Sequence, residues 1–155
     1  MKEEGIKIVA TNRQAGRDYF LGDRIEAGIA LQGSEIKSVR AGQVSLKESF
    51  VHISDGQAWL QDAHIAAYQP AARQGHEPRR PRRLLLHRRE ILRLEAAVRQ
   101  KGMTLVPTRM YLRSGRAKLE MALGRGKRKY DKRQDLARRE AEREMARARG
   151  LKRRE

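Results

Sequence analysis

Three observations predict a mainly β fold with helices. Apolar and polar residues alternate through most of residues 6–123, and Asp55-Gly56 and Ser114-Gly115 each separate two such runs. One helical period interrupts the alternation near residues 88–101. Past residue 124 apolar residues thin out and Arg and Lys dominate, so a basic C-terminal tail follows the folded part.

Ile6, Ile8 and Ala10 alternate with Lys7 and Val9, which predicts a short strand. Asn12 to Arg17 is a polar turn or single helical turn that presents Arg13 and Arg17. From Arg24 the pattern is strand-like again, with Ile25, Ala27, Ile29 and Leu31 on one face and Glu26, Gly28 and Ala30 on the other. Glu26 is then an acid on the outer face of a basic domain. It either pairs with a nearby arginine or accepts bonds from a base or ribose hydroxyl, and pairing is the commoner fate.

Gly33 to Gly42 reads as a short helix, with Ser34 capping it, Ile36 and Val39 facing inward and Gly42 as a left-handed terminator. Phe50–Ile53 and Gln57–Leu60 flank Ser54-Asp55-Gly56, a hairpin whose pairing is predicted to continue towards Ile65. Pro70 to Pro81 is the longest irregular stretch, a basic loop carrying Arg73, Arg79 and Arg80. Arg82 and Arg83 extend that cluster into an apolar staple, Leu84-Leu85-Leu86. Ile91, Leu94 and Val98 then mark a helix, with Leu92 and Ala97 widening its stripe and Gly102 ending it. Met103–Leu112 and Arg116–Leu123 form a second hairpin, in which Ala117, Leu119, Met121 and Leu123 point one way and Lys118 and Glu120 the other. Pro107 makes its strand locally an edge or a bulge.

Three strands, a helix and two more strands is the order of an OB-fold, a small Greek-key barrel. The fold class is therefore an OB-fold-like closed antiparallel β-barrel with flanking helices, and Ile6–Ala10 is an extra strand. Closure also removes most sheet edges, which a small domain would otherwise have to protect. The expected division is a barrel at residues 1–124 and a tail at residues 125–155.

Charge selects the partner. The chain of 155 residues has 36 Lys and Arg against 19 Asp and Glu, a net charge of +17. The tail holds 14 cations and 6 acids, so +8 lies there and +9 on the first 124 residues. Such a field concentrates polyanions, and nucleic acid is the leading partner. A membrane is a poor alternative, because the longest run of Leu, Ile and Val is Leu84-Leu85-Leu86. The sequence Met1-Lys2-Glu3-Glu4 has no apolar region behind it, so no secretory signal is read. The absence of cysteine excludes disulfides and thiolate metal sites and suits a cytoplasmic protein.

In Gly124 to Arg133, two glycines, a dense cationic run and Tyr130 make a hinge that could follow a phosphate backbone and stack one ring on a base. A soluble connector that happens to be basic is the plain alternative. Beyond Asp131 helix propensity is high, but Leu136, Met145, Ala148 and Leu151 form only a thin stripe. The tail is expected to be disordered alone and to become helical against a partner.

Catalysis has no positive support. His52, His64, His76 and His87 lack metal-ligand spacing. Gly124-Arg-Gly-Lys127 misses the phosphate-loop pattern, with Met121 where a glycine is needed and Arg128 in place of Ser or Thr. Ser34, Ser45 and Ser49 have no foreseeable base. No enzyme activity, cofactor or metal is expected.

Seven runs, taken together, resemble one family. They are Asn12-Arg13, Asp18-Tyr19-Phe20, Glu26 to Gly33, Glu35 to Gly42, Arg82 to His87, Lys101 to Pro107 and Gly126 to Arg133. In order and across nearly the whole chain, they resemble the small protein B family, the bacterial SsrA-binding proteins that partner transfer-messenger RNA. The resemblance implies a barrel that binds the tRNA-like domain of that RNA. It also implies a tail that enters the decoding centre and empty mRNA channel of a stalled 70S ribosome, against 16S rRNA, in ribosome rescue by trans-translation. Delivery with elongation factor Tu, a monomeric state and no enzymatic activity follow from the same likeness.

Glu26, Leu85 and Lys118 fall at the family's RNA-binding positions. Asn12, Arg13, Arg17, Lys37, Arg79, Arg80, Arg82 and Arg83 complete the RNA-binding candidates. Arg125, Gly126, Lys127, Arg128, Lys129, Tyr130, Asp131, Lys132 and Arg133 are the ribosome-binding candidates, with Tyr130 in the place of a ring that stacks at the decoding centre. His76-Glu77-Pro78 departs from the family's commoner wording. The rival readings are a general OB-fold chaperone of single-stranded nucleic acid, which the low aromatic content opposes, and a structural ribosomal protein with a basic extension.

Overall fold

A computed structural model describes residues 5–67, 76–127 and 139–148. The chain divides into two units, Met1–Arg125 and Gly126–Glu155. Expectations for residues 70–75, for Arg128 to Arg133 and for Leu136 and Leu151 lie outside the described residues. Residues 139–148 are helical and every one of them is exposed.

The chain runs through β1 (Ile6–Thr11), α1 (Arg13–Asp18), β2 (Tyr19–Ile29), α2 (Gly33–Arg40), β3 (Val44–Ser45), β4 (Phe50–Ser54), β5 (Gln57–Gln61) and β6 (His64–Ile65). It continues through β7 (Arg82–Leu85), α3 (Arg88–Lys101), β8 (Thr104–Arg113) and β9 (Arg116–Gly126). Neighbours follow the order β8-β4-β5-β7-β2-β9, and β9 pairs back onto β8, so the strands form a ring. Each described pairing is antiparallel, and an even number of alternating strands closes on itself without a parallel seam. β1 lies along the other edge of β8, as the extra strand.

The ring encloses the apolar side of the alternation. Ala27, Ala58, Leu60, Leu84, Leu105, Met110, Leu119 and Met121 are buried in one cluster, capped by Val39 of α2 and Leu94 of α3. Both predicted hairpins are present, with Asp55-Gly56 and Ser114-Gly115 at positive φ as their tight turns require. Gly42 and Gly102 terminate their helices in the left-handed region. Pro107 lies at a register shift between β8 and β9, the kind of irregularity where a strand accommodates proline.

Several local expectations are corrected. A register shift between Ile8 and Ala10 turns Val9 towards the core and leaves Ile8 outside. The cap of α2 is Gln32, whose side chain and amide form a reciprocal box with Glu35; Ser34 instead bonds the ring of buried His76. Ile65 does not prolong the β4–β5 hairpin: a positive φ at Asp62 turns the chain, and β6 pairs with β3 in a separate two-stranded sheet. On α3, Ile91 and Leu94 are buried, but Leu92 faces out and Val98 is only half covered, because the barrel offers a narrower contact than the stripe.

The basic cluster at residues 82–85 is also corrected. It is a strand, inserted between β5 and β2 and packed by alternation, not a loop extension. β9 continues through Gly126, three residues beyond Leu123, so Gly124 is no hinge. A Cβ there would lie 3.1 Å from Val106 and 3.2 Å from Tyr19, so Gly124 marks a close approach between strands.

One polar cluster sits inside this apolar frame. Glu35 is fully buried and receives hydrogen bonds from Arg80, from Arg82 Nε at 2.6 Å and from the Gln32 amide at 2.8 Å. Arg82, also fully buried, gives its remaining donors to the carbonyls of Ala63 at 2.6 Å and Pro78 at 3.0 Å. Burial pushes the Glu35 carboxyl up, but the bonds from Arg80, Gln32 and Arg82 outweigh it and hold its pKa below the ordinary value. Glu35→Gln should cost about 3–5 kcal/mol in urea unfolding at neutral pH, since it strands the Arg82 charge. A depressed carboxylate stabilises above its unfolded pKa of about 4.3 and ceases to do so as pH falls through the folded value, so the gap between wild type and variant should close in acid. A gap independent of pH would show that charge is not what Glu35 supplies.

Candidate nucleic-acid interface

β7 alternates strictly: Arg82 and Leu84 point in, Arg83 and Leu85 point out. Leu85 lies opposite Gly28 of β2, and a Cβ at Gly28 would come within 3.2 Å of it. The absent side chain lets Leu85 lie across the neighbouring strand, 52% exposed. The chain then turns into α3, whose start is fixed by a box in which Glu90 accepts the His87 amide at 3.1 Å. That start directs Arg88 and Leu92 towards the same place.

On the far side, β9 contributes Lys118 opposite Tyr111 of β8. Tyr111 is buried and donates its hydroxyl to Glu26 Oε2, and Arg113 Nη2 lies 3.2 Å from the same oxygen. The guanidinium groups of Arg109 and Arg113 stand 5.2 and 5.8 Å from the Tyr111 ring centre. Glu120 is held in the same way, with Arg109 at 3.2 Å and the Thr108 hydroxyl at 2.7 Å. Burial, then the bond to Glu26, raises the Tyr111 phenol well above its ordinary pKa.

The result is a groove of about 710 Å³ lined by Glu26, Arg83, Leu85, Arg88, Leu92 and Lys118, among others. It holds cations for phosphates, an apolar floor for a ring face and three carboxylates, those of Glu26, Asp55 and Glu90, that could accept from donors on a base or ribose. Four of the residues singled out from the sequence, Glu26, Arg83, Leu85 and Lys118, meet here. Of the two roles left open for Glu26, pairing with an arginine is present, in Arg113, and Glu26 also lines the groove.

The other candidates lie elsewhere. Arg82 is corrected from a surface contact to an internal strut, with its guanidinium enclosed by Glu35 and two carbonyls. Arg80 is drawn onto Glu35, while Arg79 is exposed and bonds the Asp62 carbonyl at 3.1 Å. Asn12 and Arg13 line a second hollow beside Val44 to Lys47, where Asn12 donates to the Pro107 carbonyl at 2.8 Å and so ties α1 to the barrel. Arg17 is exposed next to Asp18, and Lys37 is exposed on α2. Arg125 and Gly126 are exposed on β9, and Lys127 follows them, half-buried. Arg128, Lys129, Tyr130, Asp131, Lys132 and Arg133 lie outside the described residues. Tyr111, Arg113, Arg88 and Leu92 were missed. The alternate spacing of Arg109, Tyr111 and Arg113 is compatible with one strand face, but nothing in it points from Tyr111 to Glu26, 85 residues away.

This chain is similar to known proteins over most of its length. The family model described as "SmpB protein" matches residues 9–151. An SsrA-binding protein of Acidothermus cellulolyticus is 56% identical over 149 residues, covering 96% of this chain and 94% of that relative. An SsrA-binding protein of Roseiflexus sp. strain RS-1 is 60% identical over 143 residues, covering 92% and 90%. A solved structure described as "tmRNA-SmpB: a journey to the center of the bacterial ribosome" aligns with a TM-score of 0.66 at 43% identity, over 81% of this chain and 92% of that one.

The Tyr111–Glu26 bond has a direct spectroscopic consequence. Of the four tyrosines, one should ionise last in an alkaline absorbance titration, and Tyr111→Phe should remove that late component. Its persistence in the variant would mean that another phenol is the protected one.

Proposed function

The chain belongs to the SmpB protein family, and on that footing we propose that it binds the tRNA-like domain of transfer-messenger RNA and delivers it to stalled ribosomes in trans-translation. The observation that carries the reading is the convergence of Glu26, Leu85 and Lys118 with Arg83 in one groove. Cations alone would attract any polyanion. An oriented carboxylate beside open apolar surface adds discrimination, because it rewards base or ribose donors and repels misplaced phosphates. A general single-strand chaperone is disfavoured, since such platforms stack several bases on aromatic rings and the groove offers only the His87 ring among the described residues.

The protein acts by binding, with no chemical step. It works in the cytoplasm as a monomer, with elongation factor Tu in the delivery complex and the stalled 70S ribosome as its target. The tail from Arg125 onward probes the decoding centre and the vacant mRNA channel. Helical residues 139–148 and the tail's net charge of +8 support this role, since a helix on a cationic tail fits an empty rRNA-lined channel that mRNA would otherwise fill by volume and charge. Tyr130 stacks at the decoding centre, while Asp131, Lys132 and Arg133 follow into the channel.

Three measurements test the division of labour. Lys118→Ala and Arg83→Ala should each weaken binding to the tRNA-like domain and lower the log–log salt slope by about one for each phosphate that the side chain neutralises; an unchanged slope would remove them from the phosphate path. Deleting residues 125–155 should leave that affinity intact and abolish peptide tagging on stalled ribosomes, whereas an affinity loss as large as that of Lys118→Ala would defeat the assignment. Tyr130→Ala should impair tagging more than Tyr130→Phe or Tyr130→His, stacking being worth ~1–3 kcal/mol per base. Equal activity of all three would count against stacking.

A further inference from the structure

Beside α1 the surface is sorted by charge. Asn12 and Gln14 line two neighbouring hollows. The smaller, about 250 Å³, carries Arg13 and Lys47 and no acid. The larger, about 400 Å³, carries Asp18 and Glu48 and neither Lys nor Arg. Lys47 and Glu48 are consecutive in the chain, yet each lines a different hollow. A net charge of +17 holds basic partners off, and the acidic hollow is a local exception to that field.

Local structure fixes its walls. Glu48 adopts φ 64° in the turn before β4, a conformation that glycine takes at less cost. Ser49 closes that turn, its amide and its hydroxyl both donating to the Leu46 carbonyl, at 3.1 and 2.6 Å. Tyr19 lines the hollow and packs over Gly124, where a Cβ would come within 3.2 Å of the tyrosine Cβ. Phe50, the first residue of β4, is 43% exposed, and buried Leu105 and Val106 complete the apolar lining. Arg17 lies 3.9 Å from Asp18, a loose surface pair that contributes little.

Two carboxylates beside two aromatic rings suit one kind of side chain. A guanidinium brings a flat cationic face for Phe50 or Tyr19 and a fork of N–H donors for Asp18 and Glu48. A phosphate would meet two negative groups and no cation. We propose that this hollow docks a cationic protein segment by one of its arginine side chains, at a place where the chain meets protein, not RNA, on the stalled ribosome. This rests on the ribosome reading above and adds a protein contact of stated chemistry to it.

The test measures binding of the full-length protein to purified stalled 70S ribosomes, with the isolated tRNA-like domain as control ligand. Glu48→Lys should weaken ribosome binding roughly tenfold, the scale of a hydrogen bond to a charged group, and leave affinity for the tRNA-like domain unchanged. The sign of the effect identifies the occupant, because an added cation opposes an arginine but strengthens a contact with rRNA. Unchanged or tighter ribosome binding overturns the proposal. Glu48→Gly suits the φ of 64° and keeps the turn, so it should weaken ribosome binding several-fold without loss of fold; full affinity in this variant would also overturn the proposal. The chain has no cysteine, so Thr104→Cys, exposed and lining the hollow, takes a single photo-reactive label. That label should transfer to a ribosomal protein, and transfer to rRNA alone would defeat the protein assignment. If the wild-type protein did not bind the stalled ribosome at all, the ribosome reading would fail; if it binds and the variants match it, only this docking site is lost.

Discussion

The buried pair of Glu35 and Arg82 fixes the register of β7, and the outer groove that Arg83 and Leu85 line depends on that register. Strand side chains alternate with a period of two, so a slip of one residue would exchange every inner and outer position. Here the slip would expose Leu84, strand Glu35 and push Arg83 into a space shaped for Arg82 and its bonds to Glu35, Ala63 and Pro78. An apolar core tolerates exchange among similar volumes, but a buried ion pair with satisfied donors tolerates very little. With Arg82 locked inward, Arg83 and Leu85 have no choice but to face out.

The outer surface repeats this pairing logic in a wetter setting. Glu26 and Glu120 each sit among cations and a hydroxyl donor on the β2, β8 and β9 side of the ring. The acids subtract from the attraction for RNA, and their value is direction. An exposed lysine contributes a charge that can swing, whereas a carboxylate tied to Tyr111 offers an acceptor at a fixed place. Phosphate contacts position a strand and oriented acceptors sort its bases. One face of a small barrel thus supplies both kinds of contact with few side chains.

What could be read in advance followed from local chemistry. Turns at Asp55-Gly56 and Ser114-Gly115 declare themselves because few residues adopt positive φ cheaply. The α3 terminator at Gly102 and the irregularity at Pro107 are equally local. Failures came where a distant partner decided the outcome. Arg82 and Arg83 are adjacent and chemically identical, yet one is an internal strut and the other lines the outer groove, because Glu35 lies 47 residues earlier on a helix packed behind the strand. Gly124 reads as a hinge in a basic run, but Tyr19 and Val106 crowd the space where its side chain would be.

The sequence by itself determined the ring of strands, the place of its helix, the excess of positive charge and the family resemblance that pointed to Glu26, Leu85 and Lys118. These rest on periodicity, turn stereochemistry, composition and motif order, all of which are written along the chain. Only the tertiary structure decided which arginines face solvent, which oxygen of Glu26 is held by Tyr111 and Arg113, and that Leu92 lines the groove. The physical reason is that orientation, unlike propensity, is set by partners across the sheet and behind it, and a linear sequence does not record their distance.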